Sequence, residues 1–310
     1  MRVTASSFPN VLSAQFQRLS VEQARLQTQA ATGQRFTFGS EDPRAMRKVL
    51  DLQAEMKTLR QFDQNIATLR DTLDSSFAAM KGVKGISDRA GEIATLSDGL
   101  RTAAEMTTYG TEVNQLLERA VQLANTRHQS SFLFAGTAND EAPYVATRNA
   151  SGVITAVTYQ GNADVPAVEI ADGISVAVAV PGENSTGAGV QALFTDSRTG
   201  ADFFNHLISL RDHLQAADSA AVRATDMTAL ADDEDNILFH FGNTGAVQTR
   251  LDVASSLAQS RARSLEGLVS QESDADLAQT MVSLSEIQNA YTAALKTGGS
   301  ILSQSLLDYI

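Results

Sequence analysis

Residues 277–302 read LAQTMVSLSEIQNAYTAALKTGGSIL, and their spacing predicts the main helical element of the chain. Its apolar and small residues recur at alternating steps of four and three, which is the spacing of one narrow helix face. That face contains Leu277, Met281, Leu284, Gln288, Tyr291, Leu295, Gly298 and Leu302, with Leu306 one further step along. We therefore expect a long coiled-coil-like helix that begins near residues 273–276, where Ser and Asp can cap it.

A second narrow stripe lies near the other end of the chain. Leu12, Leu19 and Leu26 recur at intervals of seven, and Phe16 is the first residue of the alternate seam position. Pro9 fits the first turn of a helix, and Gly33 is expected to end the helix. This stripe is the natural partner for the C-terminal one.

The C-terminal helix needs such a partner. Burying one Leu-sized side chain is worth roughly 1.5–3 kcal/mol, so six or seven seam residues gain about 10–20 kcal/mol. Ordering the backbone costs roughly 1–2 kcal/mol per residue, which leaves an isolated helix marginal. Two interpretations stay open: an intrachain helix pair, or terminal helices that become ordered only against neighbouring subunits. The predicted assembly interface is Leu12, Phe16, Leu19, Leu26, Leu277, Met281, Leu284, Gln288, Tyr291, Leu295, Leu302 and Leu306.

The first part of the chain is predicted to be helical almost throughout. Residues 40–43 have Pro in a first helical turn and acids at the positive helix end. Apolar residues then step by three and four from residue 49 to residue 80, a stripe of roughly 45 Å. Breaks are expected near residues 82–85 and Gly99, followed by a helix at about residues 111–131.

The middle of the chain is rich in Gly, Pro, Asn and Asp between residues 132 and 200. Ile and Val alternate with Ser and Ala at residues 174–180, which predicts a strand with one buried face. Shorter strands are expected at residues 153–159 and 165–170. Helices then return at residues 203–214, at 222–241 with an interruption at the acidic run 232–235, and at 245–272.

These patterns predict a mainly α fold. Long coiled-coil-like helices from both termini form a rod or bundle, and a small β-rich domain is inserted in the middle. We expect an N-terminal assembly helix at residues 1–40, a helical rod at 41–137 and an exposed β-rich insert at 138–200. The helical part of the exposed region follows at 201–244, and the C-terminal rod and assembly helix at 245–310.

The composition argues against several classes of function. The chain has 36 acidic and 24 basic residues, a net charge of -12, and no cluster of Lys and Arg that would favour nucleic acid or an anionic membrane. It has no Cys, which excludes disulfides, thiolate zinc sites and Cys nucleophiles. Aromatic residues make up 6%, with no Trp, which suits helices packed through small side chains.

No pattern of catalytic or metal-binding residues stands out. His206 and His213 are seven apart, whereas metal ligands on one helix favour spacings of three or four, so we expect solvated surface histidines. Residues 232–235 lack the alternating ligands and central Gly of a calcium loop and are expected to form a solvated acidic turn. Residues 182–187 have the Gly spacing of a phosphate loop, but Ala188 stands where Lys is required. We predict a non-enzymatic protein without cofactor or metal.

The first residues contain a single base and no apolar run of seven or more, which is not the pattern of a secretory signal peptide. The longest apolar-rich stretch, residues 174–180, is too short to span a bilayer. We expect a protein that is cytoplasmic or exported by a route that needs no cleaved signal.

Short motifs at both ends of the chain resemble the flagellin-like family of bacterial flagella. In the N-terminal part these are Ala31-Thr-Gly-Gln-Arg35, Ser40-Glu-Asp-Pro43, Gln61-Phe-Asp-Gln-Asn-Ile66 and Tyr109-Gly-Thr-Glu-Val-Asn-Gln-Leu-Leu117. In the C-terminal part they are Asp274-Ala-Asp-Leu-Ala278, Leu284-Ser-Glu-Ile-Gln-Asn-Ala-Tyr291 and Ser305-Leu-Leu-Asp-Tyr-Ile310. Phe132-Leu-Phe-Ala-Gly-Thr137 is more similar to the hook-associated proteins of the hook–filament junction than to flagellins. The match covers roughly residues 1–140 and 245–310, and it departs from the family at Ser6-Ser-Phe-Pro-Asn10.

The resemblance implies that both terminal helices form the inner coiled-coil core of a tubular assembly, with the middle of the chain facing outward. It implies self-association in a helical ring, with a hook-associated protein on the hook side and flagellin on the filament side. It also implies secretion through the flagellar type III apparatus, assisted by an export chaperone. An adaptor between two tubes needs two different faces, which heterologous head-to-tail contacts supply.

Two alternatives remain. The chain could be a flagellin, which polymerises alone into long fibres. More distantly, the β-rich insert could make it a surface carbohydrate-binding or adhesive module carried on helices.

Overall fold

The structure is a computed structural model of the 310-residue chain. It describes the backbone of residues 7–307 except 98 and 139, and the side chains of residues 10–299 with the same two exceptions. The chain divides into two compact units. The terminal unit is formed by residues 1–59 and 260–310, and the central unit by residues 60–259.

Long helices make up most of both units, which confirms the predicted mainly α fold with a small central region of short strands. The helices are α1 (Ser7–Thr32), α2 (Pro43–Leu96), α3 (Ala103–Ala124), α4 (Phe203–Gln215), the single turn α5 (Ser219–Ala221), α6 (Met227–Ser273) and α7 (Leu277–Leu307). A π-helical turn, Val222–Asp226, joins α5 to α6. The functional division of the chain into five segments stays a prediction.

The strands lie between α3 and α4 and pair mostly with their neighbours in sequence. They are β1 (Arg127–His128), β2 (Ser131–Phe132), β3 (Tyr144–Arg148), β4 (Ile154–Tyr159), β5 (Val168–Ala171), β6 (Ile174–Val176), β7 (Glu183–Asn184), β8 (Thr195–Asp196) and β9 (Ala201–Asp202). The first six form three antiparallel hairpins, and β8 pairs with β7 in parallel and with β9 antiparallel. The chain therefore builds small local hairpins rather than one extended sheet.

In the terminal unit, backbone hydrogen bonds join the end of α1 to the start of α7. Gly33 adopts φ +71°, a conformation that favours glycine, and ends α1 as predicted. Its carbonyl accepts from the backbone N–H of Ala275 at 2.8 Å, and the N–H of Arg35 donates to the carbonyl of Ser273 at 2.6 Å. These bonds bring the C-terminal end of α1 beside the N-terminal end of α7.

The central unit is built on a cluster of aromatic rings. Phe194 lies at its centre, with ring centroids 5.5 Å from Phe134, 5.2 Å from Tyr144 and 5.2 Å from Phe204. All four side chains are buried. Because α4 and the irregular strand region supply the rings, their packing ties the β-rich insert to the helices.

The expected break at residues 82–85 is wrong, because α2 continues through it. A Cβ at Gly82 would lie 2.8 Å from Cδ1 of Leu123 on α3, so this glycine allows close helix packing. The break near Gly99 is confirmed. The next helix begins earlier than expected, at Ala103, because Thr102 and Glu105 form a capping box.

The expected interruption of the helix at residues 232–235 is also wrong, because α6 runs without a break from Met227 to Ser273. The run is not a solvated turn, since the carboxylate of Asp233 is buried. It accepts from the backbone N–H of Asp202 at 2.9 Å and lies 2.9 Å from Nδ1 of His206. Asp233 is therefore stabilised by buried polar contacts within the chain and not by hydration.

The strand expected at residues 174–180 is shorter than predicted and ends at Val176. Val176, Val178 and Val180 are buried as the alternation requires, but Ile174 at the start is 44% exposed. Alternate residues therefore stay buried up to Val180, although the hydrogen-bonded strand ends at Val176.

Candidate assembly interface at the terminal helices

The predicted face of α1 is the face that packs in the structure. Leu12, Phe16 and Leu19 are half-buried and Leu26 is buried, whereas Val21, on the opposite side of the helix, is 69% exposed. Successive residues turn by about 100°, so the four packed residues lie within about 80° of one another. The intrachain helix pair, one of the two interpretations left open by the sequence, is present.

The partner of this face is α7, which runs antiparallel to α1. The rings of Phe16 and Tyr291 meet edge to face with centroids 5.7 Å apart. Further along, a Cβ at Gly298 would lie 3.0 Å from Cδ2 of Leu12. Gly298 is buried, so the absent side chain lets the two helices approach closely.

The packed face of α7 differs from the stripe predicted for it. Its members are buried or half-buried: Thr280, Leu284, Ile287, Tyr291, Ala294 and Gly298. Leu284, Tyr291 and Gly298 belong to both sets. The four-three spacing did not predict Thr280, Ile287 and Ala294, because two of them are small or polar and do not contribute to an apolar stripe.

The other predicted residues of α7 face solvent. Leu277 is 50% exposed, Met281 57% and Leu295 50%, and Gln288 is exposed as well. At about 100° per residue these four lie about 75° round the helix from the centre of the packed face. We call Leu277, Met281, Gln288 and Leu295 the outer edge. Leu302 and Leu306 lie outside the described side chains.

Little charge accompanies this exposed apolar surface. Between Leu277 and Leu307 the sequence has a single acid, Glu286, and a single base, Lys296, although 19% of the whole chain is charged. An exposed helix usually carries charged residues on its outward face. The sequence of α7 is therefore typical of a helix that is buried on more than one side.

A second apolar surface lies on the α1 side of the helix pair. Its lining residues are Ala14, Gln17, Arg18, Leu19, Val21, Glu22 and Ile287, which we call the side groove. Arg25 nearby forms an exposed ion pair with Glu22, whose hydrogen bond raises the pKa of Arg25. An exposed pair of this kind adds little stability, so it marks the rim of the groove rather than holding the helices together.

The described residues contain no group of three or more His, Asp or Glu side chains placed to hold a metal ion. None of the described helices is long and apolar enough to cross a bilayer.

His213, expected to be solvated, instead forms a contact with a buried carboxylate. Its Nδ1 lies 2.7 Å from Oδ2 of Asp226, and Ser209 donates to Oδ1 of the same carboxylate at 2.7 Å. In a catalytic triad the serine and the acid bond different ring nitrogens of the histidine. Ser209 Oγ lies 3.5 Å from His213 Nδ1, the same nitrogen that faces Asp226. Here both groups bond one aspartate, an arrangement that fixes α4 to the π-helical turn and does not activate the serine. The expectation of a solvated His206 is wrong for the same reason, because it contacts Asp233.

No protein-family model matches the chain, and no curated protein matches it in sequence. Solved structures do match. A protein from Vibrio parahaemolyticus described as a flagellar hook-associated protein is 21% identical, with a TM-score of 0.62, over 76% of this chain and 100% of that one.

Two further solved structures share the fold. FlgL from Bacillus cereus is 18% identical with a TM-score of 0.56, over 71% of this chain and 99% of its own. FlgL from Xanthomonas campestris is 17% identical with a TM-score of 0.57, again over 71% and 99%. The resemblance carried by the sequence motifs is thereby confirmed at the level of the fold. The chain has the fold of the bacterial flagellar hook-associated proteins.

Proposed function

We propose that this chain is a structural subunit of the bacterial flagellum that joins the hook-associated proteins to the flagellin filament. It assembles with copies of itself in a helical ring through α1 and α7. Its partners are a hook-associated protein on the hook side and flagellin on the filament side. The fold shared with the hook-associated proteins supports this assignment.

One observation carries the proposal. The outer edge of α7 exposes Leu277, Met281 and Leu295 by half or more of their surface, on a helix almost free of charge. Exposed apolar side chains along one edge of a helix with so little charge favour an interaction site over a solvated face. Since α1 already covers the adjacent face of α7, a further contact on the outer edge must come from another molecule.

We further propose that the chain reaches the flagellum through the type III export apparatus, unfolded and with an export chaperone, and without signal cleavage. The absence of Cys is compatible with this route, because an unfolded thiol-free chain cannot form disulfides on arrival outside the cell.

The test is electron microscopy of cells that lack the gene. We expect hooks without filaments and flagellin lost to the medium, and filaments restored by the wild-type gene. Normal filaments in the deletion strain would contradict the proposal. Long fibres formed by the purified chain alone would favour a flagellin instead, and glycan binding by the purified protein would favour an adhesive module.

Complementation with point variants links the phenotype to the outer edge. Leu277→Asp and Leu295→Asp each place a charge at half-exposed positions, so the monomer should fold but fail to restore filaments. Asn289→Asp is the matched control, because it adds the same charge to an exposed position on another side of α7. Equal filament yield from all three variants would contradict a role for this edge.

A further inference from the structure

In the central unit, buried polar side chains of α6 hold a strap of irregular chain. The strap is residues 185–200, which connect β7 to β9 and contain β8. Asn236 of α6 donates to the carbonyl of Ala192 at 2.9 Å and to that of Leu193 at 2.7 Å. Nε2 of His240 lies 3.0 Å from the same Ala192 carbonyl. All four residues are buried, so the middle of the strap is held through its backbone and away from solvent.

The contact with the strap fixes the protonation state of His240. A carbonyl oxygen can only accept a hydrogen bond, so Nε2 must carry the proton that points to Ala192. Nδ1 of the same ring is buried and has no hydrogen-bond partner among the described residues. A second proton on Nδ1 would place a positive charge and an unpaired N–H in the interior, and both cost free energy. The docked strap therefore requires a neutral ring.

Two charged side chains of the strap lie within electrostatic reach of this ring and have opposite effects. Asp196 favours a charged imidazole, whereas Arg198 disfavours it. The two are paired with each other at 2.7 Å, and Asp196 also accepts from the backbone N–H of Ala192 at 2.8 Å. Burial has the largest effect on His240 and lowers its pKa, although the hydrogen bond to Ala192 and the charge of Asp196 oppose the shift.

We propose that His240 is an acid-sensitive latch, which holds the strap on α6 at neutral pH and releases it in mildly acidic solution. After release the ring is hydrated and has the ordinary pKa of about 6.5, so at pH 5 the charged form exceeds the neutral one by about 30-fold. Docking is therefore at full strength above about pH 6.5 and weakens as the pH falls towards the lowered pKa of the folded chain. The latch belongs to the central unit and does not depend on the proposed role in the flagellum.

A test has to separate His240 from a second titratable pair on the same helix. Asp233, two turns before His240, and His206 both hold protons more tightly in the folded chain, so their effect on stability has the opposite sign. His240→Gln isolates the latch, because its side-chain amide keeps an N–H donor near the position of Nε2 but cannot gain a proton.

Hydrogen–deuterium exchange of the full-length chain between pH 8 and pH 5 measures release of the strap. The backbone amides to follow are those of Leu193 and Phe194, which donate to carbonyls of the segment just before β7. Protection in His240→Gln divided by protection in the wild type cancels every pH effect that the two proteins share. We expect this ratio to rise by about 10- to 30-fold from pH 8 to pH 5.

Gln191→Ala is the matched control. It removes a contact of the same strap, in which the Gln191 side chain donates to Asn236 at 2.6 Å, but neither group titrates. Its protection relative to the wild type should therefore change by the same factor at every pH. A His240→Gln ratio that is equally independent of pH would overturn the inference.

A measurement on the wild type decides the question even where His240→Gln does not fold. The four histidines are labelled with carbon-13 and titrated by NMR alongside the exchange experiment. We expect the His240 ring to stay neutral until the amides of Leu193 and Phe194 lose protection. A ring that becomes charged near pH 6.5 while those amides stay protected would overturn the inference.

Discussion

The central unit buries most of its large apolar side chains, whereas the terminal unit buries few of them. In the central unit, Phe194 is fully buried among other aromatic rings, and a large cluster of Leu, Ile and Val surrounds it. Among the described residues of the terminal unit, the buried apolar side chains are Leu26, Phe36, Ala45, Val49, Met56 and Leu265. The central unit keeps its apolar residues inside, whereas the terminal unit leaves much of α7's apolar surface outside.

This difference fits the role in assembly that we propose for the terminal helices. A segment that leaves apolar side chains exposed can bury them against a neighbour, and enough internal packing is needed to hold those side chains on one defined surface. The α1–α7 pair meets both conditions, with one covered face and one open edge. We therefore expect the central unit to contribute most of the free energy of unfolding, and the terminal unit to make the contacts with other subunits.

The largest effect should come from Phe194→Ala. Removing a fully buried ring leaves a cavity among Phe134, Tyr144 and Phe204, and we expect a loss of about 3–5 kcal/mol in the free energy of unfolding. Urea denaturation measures it. The matched control is Phe38→Ala in the terminal unit, where the ring is 65% exposed and the loss should be below about 0.5 kcal/mol. Similar losses for both variants would remove the contrast between the units.

A smaller effect should follow pH in the central unit. Burial raises the pKa of Asp233 to about 6, although the hydrogen bond from His206 opposes the shift. Burial also disfavours charged His206, but the hydrogen bond and charge of Asp233, with further help from Asp202 and Asp232, raise the pKa of His206 overall. Both groups thus hold protons more tightly in the folded chain than in the unfolded one.

A raised pKa in the folded state gives stability that is full below the unfolded pKa and lost as the pH rises through the folded value. For Asp233 the loss falls between about pH 4 and 6, and for His206 above about pH 6.5. We expect the free energy of unfolding to fall by about 1–3 kcal/mol from pH 4 to pH 8 through this pair. Asp233→Asn should flatten the slope, whereas exposed Asp235→Asn should not; equal slopes in both variants would refute the explanation.

In the terminal unit, Phe16→Ala should loosen α1 by about 1–2 kcal/mol, because the half-buried ring loses its edge-to-face contact with Tyr291. Trypsin cleavage after Arg18 and Arg25 should then become about 5- to 30-fold faster. Val21→Ala removes an exposed side chain from the same helix and should leave the rate unchanged. Identical rates in the two variants would mean that the α1–α7 contact contributes no local stability.

The smallest effect concerns the N-terminus of α3. The side chain of Thr102 accepts from the backbone N–H of Glu105 at 3.3 Å, which caps the helix. Thr102→Ala should lower the free energy of unfolding by about 1 kcal/mol, and Thr102→Ser should restore most of it. Thermal unfolding of the three proteins checks this, and a Ser variant no better than the Ala variant would exclude the cap as the cause.

Sequence periodicity predicted the terminal helices well, because a helix end depends on local chemistry. Gly33 ends α1 through its positive φ, and Asp42 accepts from the N–H of Ala45 at 3.0 Å to start α2. Glycines within helices were misread for the opposite reason. The Gly82 position depends on Leu123, some forty residues away, and no local pattern reports such a contact.

The face of α1 that packs against α7 coincides with the predicted stripe, whereas the predicted stripe of α7 packs only in part; the assembly interface itself stays a prediction. A strict seven-residue repeat drifts by about 20° per heptad on a straight helix, so a stripe does not fix which side faces the partner. Gly298 helps to set which side of α7 faces α1, because it allows a close approach to Leu12. The buried carboxylates beside His206 and His213 lie 27 and 13 residues further along the chain, and contacts at such spacings leave no periodic signal.

We expect the α1–α7 pair, although it forms within one chain, to gain much of its protection from neighbouring copies, whereas the central unit is protected by its own core. Hydrogen–deuterium exchange of the full-length chain, as free monomer and in isolated flagella, tests it most directly. In the monomer, backbone amides of α1 and α7 should exchange at least about 100-fold faster than those of α3 and α4, and assembly should bring them to comparable protection. Equal protection of all four helices in the free monomer, unchanged by assembly, would contradict the claim.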